Sequence, residues 1–315
     1  MAEVRYQGRV YSVHPGESVL DALLRQGVRA SHACKAGSCG SCMLRREEGA
    51  VPPRAQEGLK DSWKANGYFL ACMCHPEGDL SVEAAGADVR IPAVIIALRL
   101  LSADVLEVRL RPDAPFEFRA GQYVSLILDD GLSRSYSIAS LPAEGEIALH
   151  VRRIANGLMS GWLFEEARPG ARVHLQGPSG DCFYIAGRET QPMLLVGTGT
   201  GLAPLWGIAR DALASGHTGP IHLIHGAVRE EGLYLTEALA ALAAAHWNFD
   251  YIPSLLDQGP IDSVLGARFP ALGGWRGFVC GDPAIVGALR KKLFLAGMAM
   301  RDIHADAFLP AQEAS

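Results

Sequence analysis

The stretch Cys34-Lys35-Ala36-Gly37-Ser38-Cys39-Gly40-Ser41-Cys42 constrains this chain more than any other. Its three cysteines are spaced C-x4-C-x2-C, and a fourth, Cys72, follows in Tyr68-Phe69-Leu70-Ala71-Cys72-Met73-Cys74. Thiolates at that spacing are the ligand set of a [2Fe–2S] cluster. Gly37 and Gly40 let the backbone take positive φ and curl, so that amide N–H groups point inward at a centre carrying net negative charge. Zinc, a disulfide and chance are the competing readings. Zinc sites usually pair two C-x2-C units, and a disulfide does not suit a chain that opens without a secretory signal. On spacing alone, Cys74 competes with Cys72 for the fourth position.

At 315 residues the chain is expected to form two or three domains, and 49% hydrophobic content with a mean hydropathy of +0.12 allows substantial cores. No apolar run reaches the length of a membrane span, and Met1-Ala2-Glu3-Val4-Arg5 does not read as a signal peptide. A net charge of -5 argues against nucleic acid as the main partner. Of seven cysteines, five precede residue 75, which suggests a metal site in a reducing compartment; a cytoplasmic location is expected.

In the first ninety residues, Val4–Val13 alternates around Gly8 as a β-hairpin. Ser18 N-caps a helix with Val19, Leu20, Leu23 and Leu24 on its apolar face, ended by Gly27. After the cysteine loop come a Pro/Gly-rich link, a helix near Leu59–Lys64 and a closing strand at Asp79–Glu83. This order resembles the plant-type ferredoxin fold, a β-grasp, over about residues 3–84, and the first domain is set at 1–86. The resemblance implies Cys34, Cys39, Cys42 and Cys72 as ligands, because the fourth ligand of that family is typically followed four residues later by Pro, here Pro76. Cys74 is then a small hydrophobe of the wall. Through Gly86 the module carries ten Lys/Arg and ten Asp/Glu. Free plant-type ferredoxins are typically acidic and find their reductases by electrostatic steering, which a module fused to its reductase does not need.

Ala84-Ala85-Gly86-Ala87 reads as a linker. Beyond it, short segments at 94–101, 105–110, 123–128, 135–138 and 147–152, separated by turns, suggest an antiparallel barrel over residues 87–187. Three stretches in it, taken in order, resemble the ferredoxin–NADP reductase superfamily: Arg134-Ser135-Tyr136-Ser137, Gly157-Leu158-Met159-Ser160 opening a helix, and the turn Gly177-Pro178-Ser179-Gly180. The resemblance implies that Arg134 pairs with the FAD diphosphate and that Tyr136 packs on the isoalloxazine. It puts Ser137 near the reactive flavin nitrogen, with Ser135 beside it, and His150, Val151 and Arg152 along the ribityl and ring system. Gly157, Met159 and Ser160 would complete the phosphate site. A guanidinium suits diphosphate oxygens, an aromatic face suits a flat ring, and a helix N-terminus suits an anion. Arg153 reads as a solvated strand residue.

Residues 188–315 read as a doubly wound α/β domain. The apolar run Met193–Val196 is a buried parallel strand, leading into Gly197-Thr198-Gly199-Thr200-Gly201-Leu202-Ala203-Pro204 and a helix. This is not G-x-G-x-x-G, since Leu202 or Pro204 stands where the third glycine would. It is similar instead to the nicotinamide-binding motif of the reductase superfamily. Strands are expected at 221–227, 249–252 and 277–280, with helices at 236–245 and 283–293, the second N-capped by Asp282. Cys280-Gly281-Asp282-Pro283 matches the family's C-G-x-P stretch, which implies that Cys280, Gly281 and Asp282 lie where nicotinamide meets flavin; Ser137 and Cys280 are the candidate catalytic residues, Cys280 read as packing along the hydride path rather than as a nucleophile. Cys182 reads as packing. Relatives that bind the NADP 2′-phosphate place Ser or Arg where Val228 aligns here, so NADH is favoured over NADPH, with Arg229 one position away. Phe308, near the carboxy terminus, is either a flavin-side aromatic or a core residue.

The three modules stand in the order cluster, flavin, nicotinamide. A hydride carries two electrons, a [2Fe–2S] cluster accepts one, and a flavin mediates between them. Almost end to end, the chain resembles the reductase components of bacterial ring-hydroxylating dioxygenases and multicomponent monooxygenases. That resemblance implies an oxygenase, or an intermediate ferredoxin, as electron acceptor, and a monomer. A reductase serving a deoxysugar dehydratase-type partner and a non-turnover redox sensor are the alternatives. Lys35, Arg45 and Arg46 near the cysteine loop either face an acidic partner or form a solvated surface.

Overall fold

A computed structural model describes residues 2–86 and 89–309. The hairpin forms as expected, β1 (Ala2–Tyr6) against β2 (Arg9–Val13) across Gln7 and Gly8, both at positive φ. The helix α1 (Val19–Arg25) follows, its first turn closed by Asp21 N–H donating to Ser18 Oγ at 3.1 Å. Then come β3 (Met43–Glu48), α2 (Asp61–Ala65), β4 (Tyr68–Leu70) and β5 (Leu80–Ala84), giving a mixed sheet in the order β2-β1-β5-β3-β4. Val19, Leu20, Ala22 and Leu23 of α1 are wholly buried against this sheet. Each large side chain among them contributes about 1.5–3 kcal/mol.

The second sheet contains β6 (Arg90–Leu100), β7 (Val105–Pro112), β8 (Tyr123–Ile127), β9 (Ser133–Ser137), β10 (Ile147–Arg152) and, after the helix α3 (Leu158–Glu165), β11 (Arg172–Ser179). Its order is β10-β7-β6-β11-β8-β9, all antiparallel. A bridge between Ile138 and Leu149 ties the two outer strands and closes the barrel. β11 lies mid-sheet and is absent from the sequence reading, which took Gly177–Gly180 as a turn only. In fact the strand runs through Gly177 and Pro178 to Ser179, with a register shift between Gln176 and Ser179.

The third sheet is parallel, with β12 (Met193–Thr198), β13 (Ile221–Ala227), β14 (Phe249–Leu255), β15 (Arg276–Gly281) and β16 (Ile303–Ala307) in the order β14-β13-β12-β15-β16. Helices α4 (Leu202–Ala214), α5 (Thr236–Ala245), α6 (Ile261–Arg268) and α7 (Pro283–Leu295) connect and cover it. The apolar run of β12 is explained by burial on both faces. Met193 and Leu195 join the core under α4, and Leu194 and Val196 join the core under α7. From β12 the chain winds outward through β13 and β14, then returns to the other side at β15. The switch point thus falls between the carboxyl ends of β12 and β15, where α/β sheets bind ligands. Among the described residues, no helix is long and apolar enough to cross a membrane.

The glycine turn after β12 is dictated by close packing at that point. A Cβ on Gly201 would lie 2.2 Å from the Cys280 carbonyl oxygen, and one on Gly281 would lie 2.7 Å from Thr198 Oγ1. Gly201→Ala is therefore expected to cost about 1–3 kcal/mol in urea unfolding. Gly287→Ala, on the exposed face of α7 where a Cβ meets nothing within 4 Å, should instead stabilise by roughly 0.5–1 kcal/mol.

Candidate functional site

The cysteine loop folds as its glycines demand, with Gly37 at φ 77 and Gly40 at φ 73. Cys34, Cys39, Cys42 and Cys72 are each 5–8% exposed and stand as two pairs. Cys39 N–H donates to Cys34 Sγ at 3.4 Å, and Cys42 Sγ lies 3.3 Å from Cys72 Sγ. A thiol pair at each end suits a two-iron centre in which each iron takes two thiolates. Among the described residues, no group of three or more His, Cys, Asp or Glu side chains converges on a single-ion site. Cys34 and Cys39 are coupled: their mutual hydrogen bond, with the Ala36, Cys39 and Ser38 amides, holds the Cys34 thiol down and pushes the Cys39 thiol up. Cys74 is wholly buried in the core of this module, and burial alone pushes its thiol up to about 12. Its surroundings suit a neutral packing residue.

A cavity of about 1880 Å³ opens beside Cys34 and Cys39 and is lined by all three modules. From the barrel come Arg134, Ser135, Tyr136, Ser137, His150 and Arg152, and the loop into α3 adds Gly157, Met159 and Ser160. From the nucleotide module come Thr200 and Ala305–Leu309. Half-buried Arg134 donates through Nη1 to its own neighbour's carbonyl, that of Ser133, at 2.7 Å. Among the described residues no carboxylate pairs with it, so the residues present fit an anionic diphosphate. Gly157 is the N-cap of α3 and offers no side-chain cap, leaving the amides of the first turn, from Leu158 on, facing an anion site. Ser160 is already engaged: its hydroxyl accepts from Ile154 N–H at 3.1 Å and holds that loop closed. Val151 turns its side chain into the barrel core, so only its backbone is available to a ligand.

His150 is buried, and burial holds it down to about 3, so the imidazole is neutral. Its Nδ1 is 3.2 Å from Tyr234 Oη on the nucleotide module. Arg152 pairs with Asp104 at 3.2 Å, and its Nη1 would be 3.5 Å from a Cβ on Gly199, so it reaches the glycine turn. Gly197, Thr198, Gly199, Thr200 and Gly201 form that turn at the switch point, against Cys280 and Gly281. Asp282 Oδ1 accepts from the Ala284 and Ile285 N–H groups at 2.9 and 3.1 Å, as an N-cap. Cys280 is 1% exposed and set back from the cavity wall. Cys182, read from sequence as packing, lines the cavity with Sγ 3.5 Å from Cys280 Sγ.

One residue of the site escaped the sequence reading. Asp306, at the end of β16, accepts from Ser137 Oγ at 3.1 Å inside the cavity. Burial raises its carboxyl to about 6. No local sequence signal marks it, because only the placement of β16 beside the barrel brings it to Ser137. Phe308 does line the cavity, anchored by its N–H to the Gly281 carbonyl at 2.8 Å. Of the basic residues near the loop, Lys35 pairs with Asp21 and Arg45 with Glu83 within the same module, and Arg46 donates to the Gly49 carbonyl. Those contacts favour a solvated surface.

Comparison with known proteins agrees with this geometry. Residues 3–77 match the 2Fe-2S iron-sulfur cluster binding domain, 92–184 the oxidoreductase FAD-binding domain and 195–263 the oxidoreductase NAD-binding domain. The chain is 34% identical over 323 residues to the ferredoxin–NAD(P)+ reductase component of the naphthalene 1,2-dioxygenase system of Pseudomonas putida, covering 98% of each. The crystal structure of an Amycolatopsis cytochrome P450 reductase superposes with a TM-score of 0.71 at 34% identity, over 99% of this chain and 100% of that one. The ferredoxin reductase in carbazole 1,9a-dioxygenase superposes with a TM-score of 0.67 at 27% identity, over 98% of each. With a β-grasp ferredoxin module, a flavin barrel and a parallel nucleotide sheet in one polypeptide, the chain belongs to the family of iron–sulfur flavoprotein ferredoxin–NAD(P)+ reductases that serve as reductase components of oxygenase systems.

Proposed function

We propose that the chain oxidises NADH and passes electrons through FAD and a [2Fe–2S] cluster to an oxygenase component, directly or through an intermediate ferredoxin. The observation that carries this reading is the single cavity bounded by Cys34 and Cys39, by Arg134–Ser137, and by Thr200 and Asp306. Bound FAD supplies the exchange between a two-electron hydride and single electrons, and the bound cluster supplies a one-electron carrier. The modules are assigned as 1–86, 87–187 and 188–315, working as a cytoplasmic monomer. Cys34, Cys39, Cys42 and Cys72 hold the cluster. Arg134, the first-turn α3 amides after Gly157 and the Ser160 loop hold the FAD diphosphate, while Tyr136 lies against its ring and His150 and Arg152 border it. The turn Gly197–Gly201 and the Cys280-Gly281-Asp282 end of β15 receive the nicotinamide nucleotide. Cys280 shapes that wall through Cys182, and the Ser137 hydroxyl donates to Asp306 on the cavity wall.

NADH is favoured because exposed Val228 stands in a groove after β13 where Arg229 is outnumbered by Glu230, Glu231 and Asp257, a poor setting for a 2′-phosphate. The kcat/KM for NADH should exceed that for NADPH by about tenfold or more, and Val228→Arg should narrow the ratio.

The ligand assignment separates two acceptors. Cys72→Ser should lose the iron–sulfide absorbance and at least about tenfold of NADH–cytochrome c turnover while retaining NADH–ferricyanide turnover at the flavin. Cys74→Ser should keep all three. Equal loss of both turnovers in Cys72→Ser would contradict the order of carriers.

Asp306 gives the site a pH dependence. Its carboxyl sits near 6 against an ordinary 3.8, so the fold favours the neutral acid. That contribution is full below the ordinary value and is lost as pH rises through about 6. Asp306→Asn keeps an acceptor for Ser137 without the charge. Its stability relative to the parent should therefore rise between pH ~4 and ~7, by on the order of 2 kcal/mol, in denaturant melts run at both ends. A difference that is flat with pH would refute the assignment.

A further inference from the structure

The barrel grips the cysteine loop at three consecutive peptide groups. Tyr123 Oη donates to the Ser38 carbonyl at 2.7 Å, Ser125 Oγ to the Cys39 carbonyl at 2.9 Å, and Gln176 Nε2 to the Gly40 carbonyl at 2.5 Å. Tyr123 and Ser125 share a face of β8, and Gln176 is the residue paired with Ser125 across β11. A Cβ on Gly40 would lie 3.2 Å from Gln176 Nε2, so a bare backbone is what lets the amide approach.

Behind this grip runs a chain of hydroxyls. Ser133 Oγ donates to Ser41 Oγ at 3.0 Å, and Ser41 Oγ lies 3.0 Å from Ser125 Oγ. Since the Ser125 hydrogen goes to the Cys39 carbonyl, Ser41 donates to Ser125, and the chain is directional: Ser133, Ser41, Ser125, Cys39. Ser41, Ser125 and Ser133 are wholly buried, and Gln176 is 2% exposed. The hydrophobic cores of the two modules stay separate here. Burying hydroxyls and an amide is costly compared with an apolar contact, and serial hydrogen bonds polarise one another in such a setting.

A trans peptide points its carbonyl and its N–H in opposite directions. The carbonyls of residues 38 and 39 turn to the barrel and that of Gly40 is shared between Gln176 and Met43 N–H, at 2.9 Å, so peptide planarity faces the N–H groups of Cys39, Gly40 and Ser41 away from these donors. Cys39 N–H, 3.4 Å from Cys34 Sγ, is one of them. A donor on each carbonyl strengthens the N–H of the same peptide. The reduced cluster carries one more negative charge than the oxidised one, so stronger N–H donors favour the reduced state. We infer that Ser125 and Gln176 are positioning residues of the barrel that raise the reduction potential of the cluster through the Cys39 and Gly40 carbonyls. This rests on the reading that Cys34, Cys39, Cys42 and Cys72 hold that cluster.

The test is an anaerobic redox titration of the holoprotein. The EPR signal of the reduced cluster and the visible spectrum of the flavin are followed together in the parent, Ser125→Ala, Ser125→Thr and Gln176→Leu. Ser125→Ala and Gln176→Leu should each lower the reduced-to-oxidised ratio of the cluster about tenfold at a fixed potential, which is about 59 mV for one electron. The flavin potential should be unchanged, and Ser125→Thr, which keeps the hydroxyl, should match the parent. A cluster potential that does not move, or that moves together with the flavin's, overturns the inference. A reconstituted parent with no EPR-active cluster would overturn the ligand assignment instead.

Discussion

The structure depends on one contact, the seating of the Ser38–Gly40 backbone on strands β8 and β11 of the barrel. Three hydrogen bonds fix three successive peptides, so the cysteine loop is held in register with the sheet that also carries Arg134–Ser137. Docking two modules normally relies on apolar burial, which is non-directional. Here directional donors set both distance and orientation. Such a contact suits an electron-transfer junction, where small displacements change the coupling between carriers while an approximate fit suffices for stability. The formal neutrality of the ferredoxin module belongs to the same design, because covalent fusion replaces long-range attraction.

At the other side of the cavity the constraint is steric. The glycine turn after β12 lies so close to the end of β15 that side chains are excluded between them. That closeness leaves amides and a helix start facing the crevice at the switch point of the sheet. Ser137 and Asp306 then connect barrel to nucleotide sheet, as do His150 with Tyr234 and Arg210 with Glu144. All three links are polar, and each joins residues far apart in sequence.

Elements with strong periodicity or definite end signals were legible from sequence. The hairpin, α1 with its Ser18 cap, β12, β13, α5 and α7 with its Asp282 cap were all readable, because local chemistry and tertiary burial agree there. β4 has three residues and β3 buries only Met43 and Leu44, so neither shows a sustained pattern. β11 was hidden because Gly177 and Pro178 look like a turn, although Val173 and Leu175 alternate inward before them. The C-x4-C-x2-C run was legible because metal chemistry restricts such spacing, whereas choosing Cys72 over Cys74 needed the family resemblance. Asp306 was not, since an acid near a carboxy terminus has meaning only once β16 brings it to Ser137. The relation of Cys182 to Cys280 and the grip of Gln176 on Gly40 likewise exist only through tertiary contact.

The thiol pair Cys34/Cys39 borders the cavity proposed to hold the flavin, and Cys42/Cys72 lies off its wall. Anomalous scattering at the iron edge from crystals of the holoprotein measures this directly. The account predicts two iron peaks, one beside each thiol pair, with the first adjoining the cavity that holds the flavin ring. A single iron peak, or an iron pair on a loop detached from Ser125 and Gln176, would contradict it.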